Sequence, residues 1–171
     1  MSKLIKIKKG LDLNLKGRAE NTLSEVLVQS YAVKPTDYIG ITPKLMVKEG
    51  DRVMAGSPLF FAKHNEKILF TSPISGIVTS INRGERRVIE EIRITPDNEV
   101  EYVDFGNKPF SSMTKEEIID KLLISGTWTY IRQRPYSIIP NPNKSPKCIV
   151  ISGFDSSPLA PDYSILLKNQ A

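Results

Sequence analysis

The sequence predicts an α+β protein that is mainly β, and three features indicate this fold class. Between residues 38 and 108, short apolar runs are separated by glycines, which is typical of strands joined by tight turns. One amphipathic helix is predicted at residues 114–125. A third apolar run, at residues 147–152, does not alternate with polar residues and is typical of a buried strand in an α/β domain.

Most of the predicted strands lie in the glycine-rich region. A strand at residues 26–33 precedes it and ends at a turn formed by residues 34–37. Within the region the strands are predicted at residues 59–62, 68–70, 77–81 and 88–95. Residues 97–108 are predicted to form an exit strand and loop. In the N-terminal arm, Leu11, Leu13 and Leu15 alternate with polar residues and predict a further short strand.

The helix has clear signals at both ends. Thr114 is a favourable N-cap, and Glu117 stands three residues later, which completes a capping box. Gly126 occupies the position after the C-cap that favours glycine. The apolar face of this helix is formed by Ile118, Ile119, Leu122 and Leu123.

These elements predict four segments along the chain. Residues 1–37 form an arm and a strand, 38–108 a β domain, 109–146 the helix and a proline-rich connector, and 147–171 the start of an α/β domain. The connector is interpreted as a linker or crossing segment because it contains four prolines in twelve residues. A helix is expected to start near residue 162. A single strand and helix cannot bury themselves, so we expect the last domain to be truncated.

Composition excludes several protein classes. The chain is 40% hydrophobic and 25% charged, as in ordinary globular proteins, and its one cysteine excludes a disulfide scaffold. No apolar run approaches the roughly 20 residues of a membrane span, and the N-terminus does not match a secretory signal. The net charge is +5, but basic residues are mixed with acidic ones and lack interleaved aromatics, so we expect no nucleic-acid partner.

Two glycine-containing segments have similar patterns. In the first, Gly50 precedes Asp51, a pair suited to a tight turn whose carboxylate accepts backbone N–H bonds, and Gly56 marks a second turn. Residues 73–88 repeat this arrangement with Gly76 and Gly84 as turn residues. Val53 and Leu59 are expected in the core. The two halves predict a flattened barrel made of two hairpins.

This pattern, over residues 38–96, resembles the biotinyl/lipoyl domains and so implies a barrel-sandwich hybrid fold. Carrier domains place their attachment lysine at a hairpin tip, usually between methionines. Here the corresponding hairpin contains Lys63 and Lys67 without flanking methionines. We therefore expect no covalent biotin or lipoyl group.

The whole chain resembles a larger family, the A subunit of the Na+-translocating NADH:quinone oxidoreductase. Seven pieces of the chain carry the resemblance in the family's order: residues 7–13, 47–53, 70–76, 81–84, 125–128, 132–135 and 154–160. The resemblance implies a peripheral subunit on the cytoplasmic face of the bacterial inner membrane, with no redox centre of its own. It also implies that NADH, FAD, FMN and the iron–sulfur centre belong to partner subunits, that quinone is the substrate, and that the isolated piece is inactive.

The family is implicated in forming the quinone site, and the resemblance directs attention to two segments. A quinone ring requires apolar walls and a donor for each carbonyl oxygen, which tyrosine, tryptophan and arginine supply. The quinone-proximal candidates are Tyr38, Gly40, Trp128, Arg132, Arg134, Pro135 and Tyr136. The structural alternative is a helix end whose tryptophan packs in the core and whose arginines pair with local acids.

The remaining polar candidates are interpreted structurally. His64, the single histidine, stands among Lys, Asn and Glu and is expected to be solvated, while Ser75 is interpreted as a turn residue. No residues have the spacing of a metal site. Two other functions remain open: a stand-alone barrel-sandwich adaptor or carrier-like binding module, and a basic binder of single-stranded nucleic acid.

Overall fold

The computed structural model describes residues 26–153 without a gap, together with residues 6, 10, 15–17, 20, 22, 24, 155, 157, 159–160 and 163–164. The chain divides into two compact units. One consists of residues 27–145, and the other of residues 1–26 and 146–171. The larger unit contains every strand and helix described below. The predicted domain boundaries remain a prediction.

The larger unit is mainly β, as predicted. Its strands are β1 (Tyr31–Val33), β2 (Pro43–Leu45), β3 (Arg52–Val53), β4 (Pro58–Ala62), β5 (Asn65–Thr71), β6 (Gly76–Arg83) and β7 (Ile89–Pro96). They form two antiparallel sheets, in the orders β1-β7-β6-β3 and β2-β4-β5. All four strands predicted between residues 59 and 95 are present.

The two sheets share one hydrophobic core. Phe60 and Phe70 reach it from the three-stranded sheet, and Val78, Ile92 and Ile94 from the four-stranded sheet. Each of these five side chains is at most 2% exposed. Because both sheets bury one face against the same cluster, they form the two layers of a sandwich.

The predicted helix is confirmed as α1 (Lys115–Ile124). Thr114 Oγ1 accepts a bond from the Glu117 N–H at 3.2 Å, and the Glu117 carboxylate accepts one from the Thr114 N–H at 2.8 Å, which forms the capping box. The helix ends at Ile124, Ser125 is its C-cap, and Gly126 follows with a φ of 75°. There Thr71 Oγ1 donates to the Ser125 carbonyl at 3.3 Å, so the end of α1 is bonded to β5.

The first glycine segment folds as predicted, and the second does so in part. Gly50 and Gly56 have φ of 89° and 96°, and the Asp51 carboxylate accepts the Lys48 N–H at 2.9 Å. The prediction of Gly76 as a turn residue was wrong, because Gly76 begins β6. A Cβ there would lie 2.9 Å from the Thr95 carbonyl carbon, so glycine is required by close approach to β7. Gly84 is a turn residue as predicted: it lies between β6 and β7, and its N–H donates to the Val88 carbonyl at 2.9 Å.

Ser75 lies in the loop between β5 and β6, as predicted, and it also anchors the segment that follows β7. Its side chain is fully buried just before β6. The hydroxyl accepts a bond from the Glu101 N–H at 2.9 Å and donates to the Glu99 carbonyl at 3.3 Å. The segment predicted as an exit strand is therefore fastened by this hydroxyl and by a single bridge between Ala55 and Tyr102. It forms no strand.

The strand predicted at residues 26–33 is shorter than expected. β7 ends at Pro96, two residues beyond the Ile94 partner of Tyr31, so residues 26–28 have no strand to pair with. Leu27 is accordingly 97% exposed. The prediction of an unpacked connector was also wrong: Ile139 and Pro142 are buried, and Trp128 Nε1 donates to the Pro140 carbonyl at 2.9 Å.

In the smaller unit, the strand predicted at residues 147–152 is not formed, and Ile149, Val150 and Ile151 are exposed. An apolar strand needs neighbouring strands, and the described residues of this unit contain none. The predicted strand around Leu11 and Leu13 and the predicted helix after residue 162 lie outside the described residues, apart from isolated positions. Within the described part of the chain, no helix has the length and apolarity needed to span a membrane.

Candidate functional site

An open cleft of about 190 Å³ is lined by the last residues of β1 and β5 and by the loops next to them. The end of β1 and the following 3-10 turn (Pro35–Asp37) form one side, and the loop after β5 forms another. A second 3-10 turn, Thr127–Tyr130, follows α1 and contributes Tyr130 to the lining of the cleft. The main lining side chains are Val33, Lys34, Asp37, Tyr38, Pro73 and Tyr130.

Tyr38 is the best-anchored residue of the cleft. Its ring and the Phe70 ring pack edge-to-face, with centroids 4.6 Å apart and ring planes at 70°. Phe70 in turn stacks on Phe60 at 4.4 Å and 10°. Since aromatic pairs in these geometries are favourable, the hydrophobic core helps to position Tyr38, together with the bond from its N–H to the Pro35 carbonyl at 3.2 Å. Tyr38 is half-buried and also lines the cleft.

Arg132 approaches the same ring. Its guanidinium carbon lies 5.6 Å from the Tyr38 ring centroid, within cation–π range. Arg132 Nη1 also donates to the Thr129 carbonyl at 2.6 Å, which fixes the direction of the side chain. The arginine therefore places a cation beside Tyr38, although it does not itself line the cleft.

The environment of Tyr38 changes its acidity. Partial burial raises the pKa of the Tyr38 phenol, because the ionised form would lose hydration. Tyr130 and Asp37 raise it further, while the positive charge of Arg132 opposes them. The phenol thus stays protonated at neutral pH and is available as a hydrogen-bond donor. Lys34 supplies a second donor group and Asp37 an acceptor at the cleft.

The structure brings together only part of the predicted set. Tyr38 and Arg132 are in contact, whereas Gly40 is exposed in the turn after Tyr38 with φ of 75°. Trp128 is buried and does not line the cleft, as the structural alternative for this residue predicted. Arg132, however, bonds a carbonyl rather than an acid. The other three candidates, Arg134, Pro135 and Tyr136, are exposed in a separate turn.

Two lining residues, Tyr130 and Lys34, are not among the quinone-proximal residues predicted from the sequence. Tyr130 stands two residues after Trp128 in the same segment, and a 3-10 turn places successive side chains about 120° apart. This geometry explains why Trp128 is buried while Tyr130 is exposed. Lys34 lies in the predicted turn after β1, and no sequence signal distinguishes it from other turn lysines. Only the structure shows that it lines the cleft.

Other candidate residues lie elsewhere. Lys63 and His64 occupy the β4–β5 turn and are exposed, so the solvated state predicted for the histidine is confirmed. Among the residues that the structure describes, no group of three or more His, Cys, Asp or Glu side chains is placed to hold a metal ion.

Comparison with known proteins identifies the family. The family model described as the NqrA N-terminal barrel-sandwich hybrid domain matches residues 5–97. The model described as the NqrA second alpha/beta domain matches residues 113–171. These two matches follow one another along the chain in the order of the predicted β region and the predicted α/β start.

Full-length relatives agree with the family models. Proteins named as the A subunit of the Na(+)-translocating NADH-quinone reductase are 37% identical over 171 residues in Yersinia pseudotuberculosis serotype O:1b and 38% identical over 171 residues in Pseudomonas aeruginosa. Each alignment covers 98% of this chain and 38% of the relative. The relative from Photorhabdus laumondii is 38% identical over 167 residues, 96% of this chain and 37% of its own length.

The chain thus spans a little over a third of the length of the relatives that it matches. The first family model alone covers more than half of the chain and agrees with the two-sheet sandwich described above. The chain therefore belongs to the NqrA family, the A subunit of the Na+-translocating NADH-quinone reductase, and it contains that family's barrel-sandwich hybrid domain followed by the start of its second, α/β domain.

Proposed function

We propose that this chain is part of a peripheral subunit of a Na+-pumping NADH:quinone reductase, and that its cleft faces the quinone. The subunit sits on the cytoplasmic face of the bacterial inner membrane and binds other subunits of the complex. NADH, FAD, FMN and the iron–sulfur centre reside in those partners, and this chain has no redox centre and no covalent biotin or lipoyl group. Its contribution is quinone binding and assembly, and alone it is inactive.

One observation supports the quinone proposal above the others: Tyr38 contacts both Phe70 and Arg132 and lines an open cleft. A quinone ring is flat and apolar, and its two carbonyl oxygens accept hydrogen bonds. The ring of Tyr130 supplies a flat apolar wall, while the protonated Tyr38 hydroxyl and the Lys34 ammonium supply donors.

The size of the cleft indicates how it works. Its volume of about 190 Å³ is smaller than the roughly 300–1,000 Å³ of a typical ligand pocket. We infer that this chain contributes one wall of a site that another subunit completes. Quinone binding then depends on assembly, which accounts for a role without chemistry of its own.

The test uses the assembled complex. Tyr130→Ala removes an aromatic wall of the cleft that is 79% exposed and carries no core packing. We expect the KM for a short-chain ubiquinone to rise several-fold, because ring contacts are lost while the fold is kept. NADH oxidation by a water-soluble artificial acceptor, which does not need the quinone site, should be unchanged.

Tyr102→Ala is the matched control, since Tyr102 is 73% exposed but does not line the cleft. Its quinone KM should equal that of the unmodified complex. Equal kinetics for the Tyr130 and Tyr102 variants would contradict a quinone-facing role for the cleft.

A further inference from the structure

The turn formed by residues 134–137, which follows Thr127–Tyr130 in the chain, exposes two large polar side chains to solvent. Residues 134–137 are closed at the base by an antiparallel bridge between Gln133 and Ile138, whose N···O distance is 2.8 Å. Arg134 and Tyr136 lie within this turn, and Tyr136 is 74% exposed. Arg134 has no ion-pair or hydrogen-bond partner among the residues that the structure describes.

The segment that follows the turn is packed into the protein. Immediately after it, Ile139 is buried, and the Pro140 carbonyl accepts the Trp128 indole N–H at 2.9 Å. Pro142 is buried as well. A turn with both ends fixed loses little conformational freedom when it binds a partner, which favours a docking role.

The charge of the chain is concentrated in this region. Residues 121–154 contain no aspartate or glutamate, and they include five basic residues: Lys121, Arg132, Arg134, Lys144 and Lys147. Their sum equals the net charge of the whole chain, +5, so the remainder is balanced. The two arginines and Lys144 are exposed, whereas Lys121 is bonded to the Gly106 carbonyl at 2.7 Å.

We propose that the turn formed by residues 134–137 is a docking site for an acidic surface of another protein subunit. This inference rests on the proposed function, since it assigns an attachment point within the same complex. Arg134 pairs with a carboxylate of the partner, and Tyr136 packs beside that pair and shields it from water. Tyrosine and arginine are among the side chains most enriched in the residues that dominate protein interfaces.

Charge chemistry favours a protein partner over a lipid surface. Basic lipid-binding segments combine about four to eight lysines or arginines close together, whereas this turn offers one free arginine with Arg132 and Lys144 in the flanking sequence. The guanidinium of arginine matches the two oxygens of a carboxylate. A protein with paired carboxylates therefore suits this turn better than a field of phosphates.

The test measures how firmly the full-length subunit is held on bacterial membranes that contain the complete complex. Membranes are washed with rising NaCl, and the salt concentration that releases half of the subunit is determined by immunoblot. Arg134→Glu should lower that concentration about two- to threefold, because attraction becomes repulsion and salt screens what remains. Arg134→Lys keeps the charge but loses the paired N–H donors, so its release should fall between that of Arg134→Glu and that of the unmodified protein.

Arg83→Glu is the matched control, because it makes the same charge change on an exposed arginine at the end of β6. Equal release of the Arg134→Glu and Arg83→Glu variants would overturn the docking site but leave the proposed function intact. A full-length unmodified subunit that is absent from the complex would refute the proposed function itself. Arg134-dependent binding of the purified full-length subunit to protein-free phosphatidylglycerol vesicles would overturn the choice of a protein partner. Unfolding temperatures should be equal for both variants.

Discussion

Replacement of Phe70 tests whether the core positions the cleft. Phe70 is 2% exposed, stacks on Phe60 and packs edge-to-face with Tyr38. Phe70→Ala should cost about 3–5 kcal/mol of unfolding free energy, as for other buried phenylalanines. Phe70→Leu retains most of the apolar volume but loses two aromatic pairs of about 0.5–1.5 kcal/mol each, so we expect a loss of about 1–3 kcal/mol. Urea unfolding of the 171-residue chain, followed by fluorescence of its single tryptophan, gives both values.

The leucine variant also has a consequence at the cleft. With the Phe70 ring gone, Tyr38 loses a neighbour that buries it, and the pKa of its phenol should move down towards its usual value. Phe110→Leu is the control, because Phe110 is exposed and should change stability by no more than about 0.5 kcal/mol. Phe70→Leu within that same limit, with the Tyr38 pKa unchanged, would refute the view that the core holds the cleft.

Three further predictions concern the cap, a close approach and pH. Thr114→Ala removes the hydrogen bond that Thr114 Oγ1 accepts from the Glu117 N–H. The free energy of unfolding in urea should fall by about 1 kcal/mol, and helical circular dichroism should be lost at a lower temperature than in the unmodified protein. Gly76→Ala places a methyl group against the Thr95 backbone and should lower the unfolding temperature by well over about 5 °C, whereas Gly153→Ala, which meets nothing within 4 Å, should not change it. Folding raises the pKa of the Tyr38 phenol. The contribution of Tyr38 to the free energy of unfolding is therefore complete below about pH 10 and is lost as the pH rises above it. Tyr38→Phe should flatten that fall in unfolding titrations from about pH 9 to 11; an equal slope in both proteins would show that the phenol is not buried on folding.

Local signals predicted the β sandwich and the helix well. The four strands between residues 59 and 95, the positive φ of Gly50 and the reciprocal bonds of Thr114 and Glu117 all depend on neighbours within a few residues. Where the prediction failed, distant partners decided the outcome. Residues 26–28 have strand-forming side chains, but β7 ends at Pro96 and offers them no partner.

The candidate site was only partly predictable for the same reason. Aromatic and basic residues in the segment 128–136 were predicted to lie near the quinone. Their spacing in the sequence could not separate those that line the cleft from those that do not. The structure places Arg132 against Tyr38, buries Trp128 and directs Arg134 and Tyr136 into a separate turn. Tyr130 gained its importance only through the shape of the cleft.

Sequence alone determined the four strands between residues 59 and 95, the turn at Gly50 and the capped helix, because these depend on backbone preferences and short-range hydrogen bonds. It also carried the family resemblance, which the family models later supported. Only the tertiary structure decided that Tyr38 and Arg132, far apart in the chain, meet through the packing of α1 against β5. Contacts of this kind arise from burial of a shared core, and no local pattern encodes them.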